Sequence, residues 1–230
     1  MKGFVAITLS ILLFSCVQHP GDSSEVEAPS MVLDTIEGVA AGTLLRGELA
    51  SDFIPARPLD IWLPSSYDGT QKHNVLYMYD AQMLFDATTT WNGQEWRVDE
   101  ILDSLIIDDV ITPTIVVALY NGGQRRNFEY FPQKPAAQLQ AAFSDSVLSE
   151  ISKRYGSDSS FSVNSDNYLR YMVEEVKSLV DGNFTVHTSA ASAAIMGSSM
   201  GGLMSMYAVG EYPSIFGAAL CMSTHWPGGF

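Results

Sequence analysis

The order of hydrophobic and polar residues predicts a sheet whose inner strands alternate with helices. Apolar and polar positions alternate over 42–51 and 57–64, as is typical of antiparallel strands with one buried face. Continuous apolar runs predict buried inner strands at 73–80, 114–119, 192–196 and 216–223. Because helical stretches separate these runs, we predict an α/β fold: a mostly parallel central sheet, helices on both faces, and antiparallel strands over 42–64 at its N-terminal edge.

Two segments repeat apolar residues at helical spacing. Residues 96–108 place one group of apolar side chains on a single predicted face: Val98, Ile101, Leu102, Leu105 and Ile106. Residues 167–184 predict a helix that ends near Gly182, with an apolar face of Leu169, Met172, Val173, Val176, Leu179 and Val180. The pattern is weaker over 125–165, which we interpret either as a solvated loop or as a surface insertion near the functional site.

The N-terminal residues have the organisation of an export signal. A basic start precedes an apolar stretch that is too short to span a bilayer comfortably as a helix. Residues 13–16, LFSC, then resemble a bacterial lipoprotein box, in which the cysteine becomes the lipidated first residue. We therefore predict a signal peptide over 1–15, a flexible tether over 16–35 and a lipid on Cys16. An ordinary secretory signal with an incidental cysteine is the alternative.

Composition limits the domain count and the partners. The chain has 230 residues, 47% of them hydrophobic, so we expect one domain with one large core over 36–230. The formal net charge is −14 and only 12 residues are Lys or Arg, which argues against nucleic acid as a partner. With Cys16 lipidated, Cys221 has no partner for an internal disulfide. The expected location is the bacterial cell envelope, with the protein held on a membrane by its lipid.

A serine between glycines is the strongest chemical motif. The pattern G-x-S-x-G fits one frame, Gly197, Ser199 and Gly201, and does not fit when centred on Ser198. An apolar strand precedes the motif and a helical run follows it, which is the context of a nucleophile elbow. In such a turn the next backbone N–H, here that of Met200, helps to bind the oxyanion. A glycine-rich turn that only packs a helix on a sheet is the alternative.

Several motifs together resemble a known family. The chain contains LDIWLPSSYD, VLYMYDAQMLFD, NGQEWRVDEIL, IVVALYNGGQRR, EYFPQKP and IMGSSMGGLMSMYAVGEYPSIFGAALCMSTHWPG in that order. This set resembles the “Putative esterase” family of α/β-hydrolases, which includes enterochelin esterase-like proteins, feruloyl and acetylxylan esterases, S-formylglutathione hydrolase and mycobacterial mycolyltransferases. The resemblance covers residues 40–230. It implies the α/β-hydrolase fold and ester cleavage through an acyl-enzyme on Ser199.

The same resemblance implies further site residues. The second oxyanion donor is expected from the turn after the central strand, where Asp80, Ala81 and Gln82 stand, and Gln82 is our candidate. Ala81 replaces a glycine that is common there, so a required positive φ at this position would strain the turn. In similar enzymes the STHW segment lines the pocket, which implicates His225 and Trp226. A strand end without a site role is the alternative for the turn.

Aromatic and charged residues near the predicted site each allow two interpretations. Asp80 and Trp91 are further candidates for the pocket wall; Trp91, Trp96, Tyr120 and Trp226 are either a platform for a sugar or aryl group or core residues. Arg125 and Arg126 either hold a substrate carboxylate or pair with Glu129. Asp80, Asp86 and Glu95 match no metal-ligand spacing, so we expect no metal and no cofactor.

The histidine and carboxylate that would activate Ser199 are not evident in the sequence. Serine attack requires a histidine base oriented by a carboxylate, and in this fold both follow the serine along the chain. After Ser199 the sequence contains one acidic residue, Glu211, and one histidine, His225. We therefore expect the 230 residues to be a fragment, truncated at the C-terminus, that lacks the catalytic acid and histidine.

Three functions remain open at this point. The first is a serine esterase that removes acyl groups from a carbohydrate or small-molecule ester in the envelope. The second is an acyltransferase on the same fold, because an acyl-enzyme can pass its acyl group to an alcohol instead of water. The third is a non-catalytic binding lipoprotein that has kept the fold.

Overall fold

The computed structural model describes residues 31–142 and 163–226 of the chain. The predicted signal peptide, Cys16, most of the predicted tether and about half of the 125–165 segment lie outside the described residues. Within the described ranges seven strands form one sheet: β1 (Asp34–Ile36), β2 (Thr43–Leu49), β3 (Arg57–Leu63), β4 (Asn74–Tyr79), β5 (Thr114–Leu119), β6 (Ala193–Ser198) and β7 (Ala218–Met222).

The strand order confirms the predicted architecture, but the prediction of a buried inner strand over 216–223 is wrong: β7 is last in the order of the described strands, and its Leu220 and Met222 are 42% and 49% exposed. The order across the sheet is β1-β2-β3-β5-β4-β6-β7. Strand β2 pairs antiparallel with β1 and with β3, and β3 pairs antiparallel with β5. The strands β5, β4, β6 and β7 are parallel neighbours; Val75 on β4, for example, stands between Ile115 on β5 and Ala193 on β6. The sequence did not predict β1, which begins at Asp34, inside the range interpreted as tether.

Helices cover both faces of this sheet. They are α1 (Val98–Ile107), α2 (Arg126–Tyr130), α3 (Gln133–Ala142), α4 (Ser165–Arg170), α5 (Lys177–Asn183) and α6 (Met200–Glu211), and a π-helical segment (Tyr171–Val176) joins α4 to α5. Tyr77 and Val117 belong to the apolar cluster that α4 to α6 cover. Met78 and Val116, their neighbours in sequence, face the cluster that contains α1. No helix of the described residues is both long and apolar enough to cross a membrane.

The predicted apolar face of α1 is partly wrong. Val98 and Ile106 are buried as expected, but Ile101 is 52% exposed. Asp99 and Asp103 are buried in its place. The Asp99 carboxylate accepts hydrogen bonds from the backbone N–H groups of Ala40 and Ala41, and Asp103 accepts from the backbone and hydroxyl of Ser65. These bonds satisfy both oxygens of Asp103 and Oδ2 of Asp99, while Oδ1 of Asp99 is buried without a hydrogen-bond partner among the described residues. The face of α1 against the loops around β2 and β3 is therefore polar.

Candidate active site

Ser199 occupies a sharp turn between β6 and α6. Its backbone has φ 58° and ψ −116°, a conformation that is rare for any residue with a side chain. The Ser199 N–H donates to the carbonyl of Met222 at 2.9 Å, and the Ser199 carbonyl accepts the N–H of Leu203 at 3.2 Å. The turn is therefore bonded to β7 on one side and to α6 on the other, and the partly exposed Ser199 lies at the carboxyl edge of the parallel strands.

The glycines around Ser199 allow strand and helix to approach closely. A Cβ atom on Gly197 would lie 2.5 Å from the carbonyl carbon of Gly201, and one on Gly202 would lie 2.9 Å from the hydroxyl oxygen of Thr224. Real Cβ atoms essentially never come this close to other atoms. The spacing of the motif thus has a steric reason, which is the geometry that a nucleophile elbow requires.

Two backbone N–H groups near Ser199 are free of helical acceptors. Met200 is the first residue of α6, and Gln82 lies in a 3-10 turn, Ala81–Met83, that follows β4. The first N–H groups of a helix have no intrahelical acceptor, and the N-terminal end of α6 favours negative charge. Ala81 does not have the positive φ that would have strained this turn, because the left-handed residue of the turn is Asp80, with φ 61° and ψ 49°.

Asp80 is the centre of a hydrogen-bond network that the sequence did not predict. Its buried carboxylate accepts from Nε and Nη2 of Arg126, each at 2.7 Å, and from Nδ2 of Asn121 at 2.7 Å. Burial opposes the charge of Arg126, but its hydrogen bonds to Asp80 raise its pKa above the ordinary value. Glu129, the alternative partner of Arg126, instead forms two bonds of 2.8 Å with Arg57. Arg125 is exposed.

A depression of about 440 Å³ opens beside Ser199. Its wall includes the predicted residues Asp80, Gln82 and Trp91, and also Ser198 and Arg126. The Trp91 side chain is 87% exposed, so it stands at the rim and is not a core residue. Trp226 is 59% exposed, and neither it nor His225 belongs to the wall of this depression.

The histidines differ in their relation to Ser199. The backbone N–H of His225 donates to the Ser199 carbonyl at 3.0 Å, while its exposed ring makes no hydrogen bond with any residue that the structure describes. His73 is buried before β4, and His187 is exposed. The Glu211 carboxylate pairs with Lys134. Within residues 31–142 and 163–226, no histidine ring bonds to the Ser199 hydroxyl, and no group of three or more potential metal ligands occurs.

Three features define the fold class as that of the α/β-hydrolases: the mixed sheet with its parallel core strands, the strained serine and the glycine contacts. The sequence model of a family described as “Putative esterase” matches residues 55–227, and the chain belongs to this family. The uncharacterized protein YbbA of Bacillus subtilis (strain 168) is 25% identical over 174 residues, which are 75% of this chain and 58% of that protein.

Solved structures support the same fold. An IroE-like serine hydrolase from Shewanella oneidensis has a TM-score of 0.56 at 20% identity, over 79% of this chain and 50% of that one. The enterobactin esterase FES from Shigella flexneri has a TM-score of 0.53 at 16% identity, over 88% and 39%. The ferulic acid esterase AmCE1/Fae1A from Anaeromyces mucronatus, solved in complex with ferulic acid, has a TM-score of 0.52 at 17% identity, over 80% and 58%. The chain thus spans roughly two fifths to three fifths of these relatives.

Proposed function

We propose that the protein is a serine esterase that cleaves carboxylic esters through an acyl-enzyme on Ser199. The observation that carries the proposal is the backbone of Ser199, with φ 58° at the turn from β6 into α6, together with the close approach of Gly197 and Gly201. Strain of this kind persists only where the surrounding structure enforces it, and it clusters at active sites. Ser198, in contrast, is an ordinary strand residue that ends β6.

The chemistry follows from the groups around this serine. The Ser199 oxygen attacks the ester carbonyl, a base takes its proton, and the alcohol leaves with a proton once the tetrahedral intermediate collapses. The N–H groups of Met200 and Gln82 bind the negative oxygen of that intermediate. Water then attacks the acyl-enzyme and releases the acid. Each oxyanion donor is expected to contribute a factor on the order of 10²–10³ to kcat.

The reaction also needs a histidine base, and His225 is the described histidine nearest to Ser199 in the backbone network. We infer that His225 is not this base, because its ring is exposed and hydrogen-bonds to no described carboxylate. In the protein expressed from its own gene, His225→Ala should keep most of the hydrolysis, as should the control His187→Ala, another exposed histidine. Turnover that vanishes only in His225→Ala would assign the base to His225.

The substrate we propose is an acyl group on a carbohydrate or small-molecule alcohol. The depression of about 440 Å³ is within the size range of small-ligand sites, and the exposed Trp91 at its rim offers a face for a sugar or aryl ring. Two similar structures support this class, since one was solved with ferulic acid and another with 2,3-di-hydroxy-N-benzoyl-serine. The net charge of −14 disfavours strongly anionic polymers as substrates.

We place the esterase at the bacterial cell envelope, exported and anchored by a lipid on Cys16. The LFSC sequence over 13–16 and the polar, Ser- and Pro-containing stretch after it support this proposal. A tether of this composition lets a folded domain reach substrates away from the membrane surface.

A non-catalytic binding lipoprotein is the second candidate. It is favoured by one observation: no described histidine ring bonds to the Ser199 hydroxyl. One experiment separates the candidates. The protein from its own gene is incubated with aryl, acetyl-sugar and feruloyl-sugar esters, with and without an alcohol acceptor, and all products are identified. Free acid supports the esterase, a new ester in the presence of the acceptor supports an acyltransferase, and saturable binding without turnover supports the binding protein.

A further inference from the structure

We propose that Arg126 is a positioning residue of the oxyanion site. Through its two hydrogen bonds to Asp80, Arg126 fixes the position of the Gln82 turn relative to the first turn of α6. It thereby fixes the distance between the two N–H groups that bind the oxyanion. The inference rests on the proposed function, because it concerns the same site. It adds a residue that touches none of the reacting atoms in the mechanism above.

Asp80 links directly to the turn that carries Gln82. The Asp80 carbonyl accepts the N–H of Met83 at 2.8 Å, which closes the 3-10 turn around Gln82. Asp80 itself is left-handed, with φ 61°, a conformation that aspartate tolerates better than most residues but that still needs support from its surroundings. Its side chain is 6% exposed, so the direction of the carboxylate and the direction of the turn are coupled.

The same carboxylate lies against α6. A Cβ atom on Gly201 would be 3.4 Å from Oδ2 of Asp80 and 3.4 Å from Cβ of Tyr79. Gly201 follows Met200, the other oxyanion donor. The Asp80 carboxylate is therefore packed between the two turns, and a rotation of it alters the distance between their N–H groups.

Arg126 supplies two of the three hydrogen bonds that hold this carboxylate in one orientation, and Nδ2 of Asn121 donates the third at 2.7 Å. Two nitrogens of Arg126 donate to the two different oxygens of Asp80, each at 2.7 Å, and the planar guanidinium permits only a narrow range of angles for such a pair. The guanidinium carbon lies 5.1 Å from the ring centre of Tyr130, which is fully buried. Arg126 also compensates a negative charge that would otherwise oppose the oxyanion.

The test uses the protein expressed from its own gene, with a soluble aryl ester. A displacement of about 1 Å in a reacting group costs on the order of 10²-fold, so Arg126→Met should lower kcat by roughly 10- to 100-fold with KM changed less than about threefold. Arg126→Lys keeps the positive charge but cannot form the pair of parallel hydrogen bonds to Asp80. Its kcat should therefore lie between those of Arg126→Met and the wild type. The matched control is Arg46→Met, which breaks another bidentate ion pair. Arg46 donates two bonds of 2.7 Å to Asp60, and neither residue lines the Ser199 depression. This control should keep kcat close to wild type.

A second readout does not depend on activity. In Arg126→Met, amide hydrogen exchange should accelerate both over 80–84 and over 199–203. In Arg46→Met, the acceleration should be smaller in each of these segments. A raised KM with unchanged kcat would show that Arg126 binds substrate instead, and unchanged exchange in both segments would overturn the proposal even in an inactive protein. A wild-type protein without turnover would count against the proposed function alone, because the exchange measurement still tests whether Arg126 fixes the two turns through Asp80.

Discussion

Gly197 and Gly201 face each other so closely that a single methyl group on Gly197 would lie 2.5 Å from the carbonyl carbon of Gly201. The neighbouring atoms belong to the backbone of α6, which cannot rotate away as a flexible side chain would. Packing of α6 against the end of β6 therefore requires glycine in the motif around Ser199, whatever the role of the serine. The glycines of the motif let α6 begin directly at the end of β6.

Gly197→Ala should therefore destabilise the protein. Forcing extra volume against fixed backbone costs about 3 kcal/mol in the free energy of unfolding, at the upper end for overpacking. The control is Gly210→Ala, in the same helix α6, where a Cβ atom meets nothing within 4 Å and alanine should be neutral or stabilising by up to about 1 kcal/mol. Thermal unfolding of both variants checks this, and equal stability of the two would contradict it.

The sheet was predictable because its inner strands have a distinctive local pattern. Strands β4 and β5 are buried along most of their length, so their sequences are continuous apolar runs. Strand β1 has only three residues and pairs only with β2 among the described strands, so neither its length nor its pattern distinguishes it from a loop. The face of α1 was partly missed because Asp99 and Asp103 are buried by bonds to residues far along the chain.

A second prediction concerns the buried ion pair of Arg57 and Glu129. Their side chains are 6% and 2% exposed, and two bonds of 2.8 Å join them. Removing one partner leaves a buried charge uncompensated, so Arg57→Met should lower the free energy of unfolding by about 3–5 kcal/mol. Arg97→Met breaks an exposed pair with Glu100 and should cost less than about 1 kcal/mol. Denaturant titrations of both variants measure the difference, and similar midpoints would refute the expectation.

The site was only partly predictable, for a related reason. Ser199 and Met200 were proposed from the G-x-S-x-G motif and Gln82 from the family resemblance. The pairs Asp80–Arg126 and Arg57–Glu129, in contrast, join residues 46 and 72 positions apart. Sequence spacing favoured Glu129 as the partner of Arg126, because a residue close in sequence is the first candidate when no distant partner can be identified. The fold selects the real partners, because it brings α2 beside Arg57 at the start of β3 and beside Asp80 after β4.

A third prediction concerns the lipid anchor. Expressed in a bacterium with its own signal, the protein should incorporate labelled fatty acid and partition into detergent, because the lipid proposed on Cys16 carries fatty acyl chains. Cys16→Ser should abolish both properties, while Cys221→Ser, on β7, should change neither. An unlabelled wild-type protein in the aqueous phase would leave only an ordinary secretory signal.

The central claim is that Ser199 is the nucleophile of an esterase, and the paired serines give it a direct test. Hydrolysis of an activated aryl ester is measured for the protein from its own gene, for Ser199→Ala and for Ser198→Ala, with folding of each verified by circular dichroism. Ser199→Ala should reduce kcat/KM by about 10³ or more, because the alcohol that forms the acyl-enzyme is gone. Ser198→Ala should cost less than about tenfold, because that residue ends a strand and has no role in the proposed chemistry. Equal losses in the two variants, or full activity in Ser199→Ala, would contradict the account.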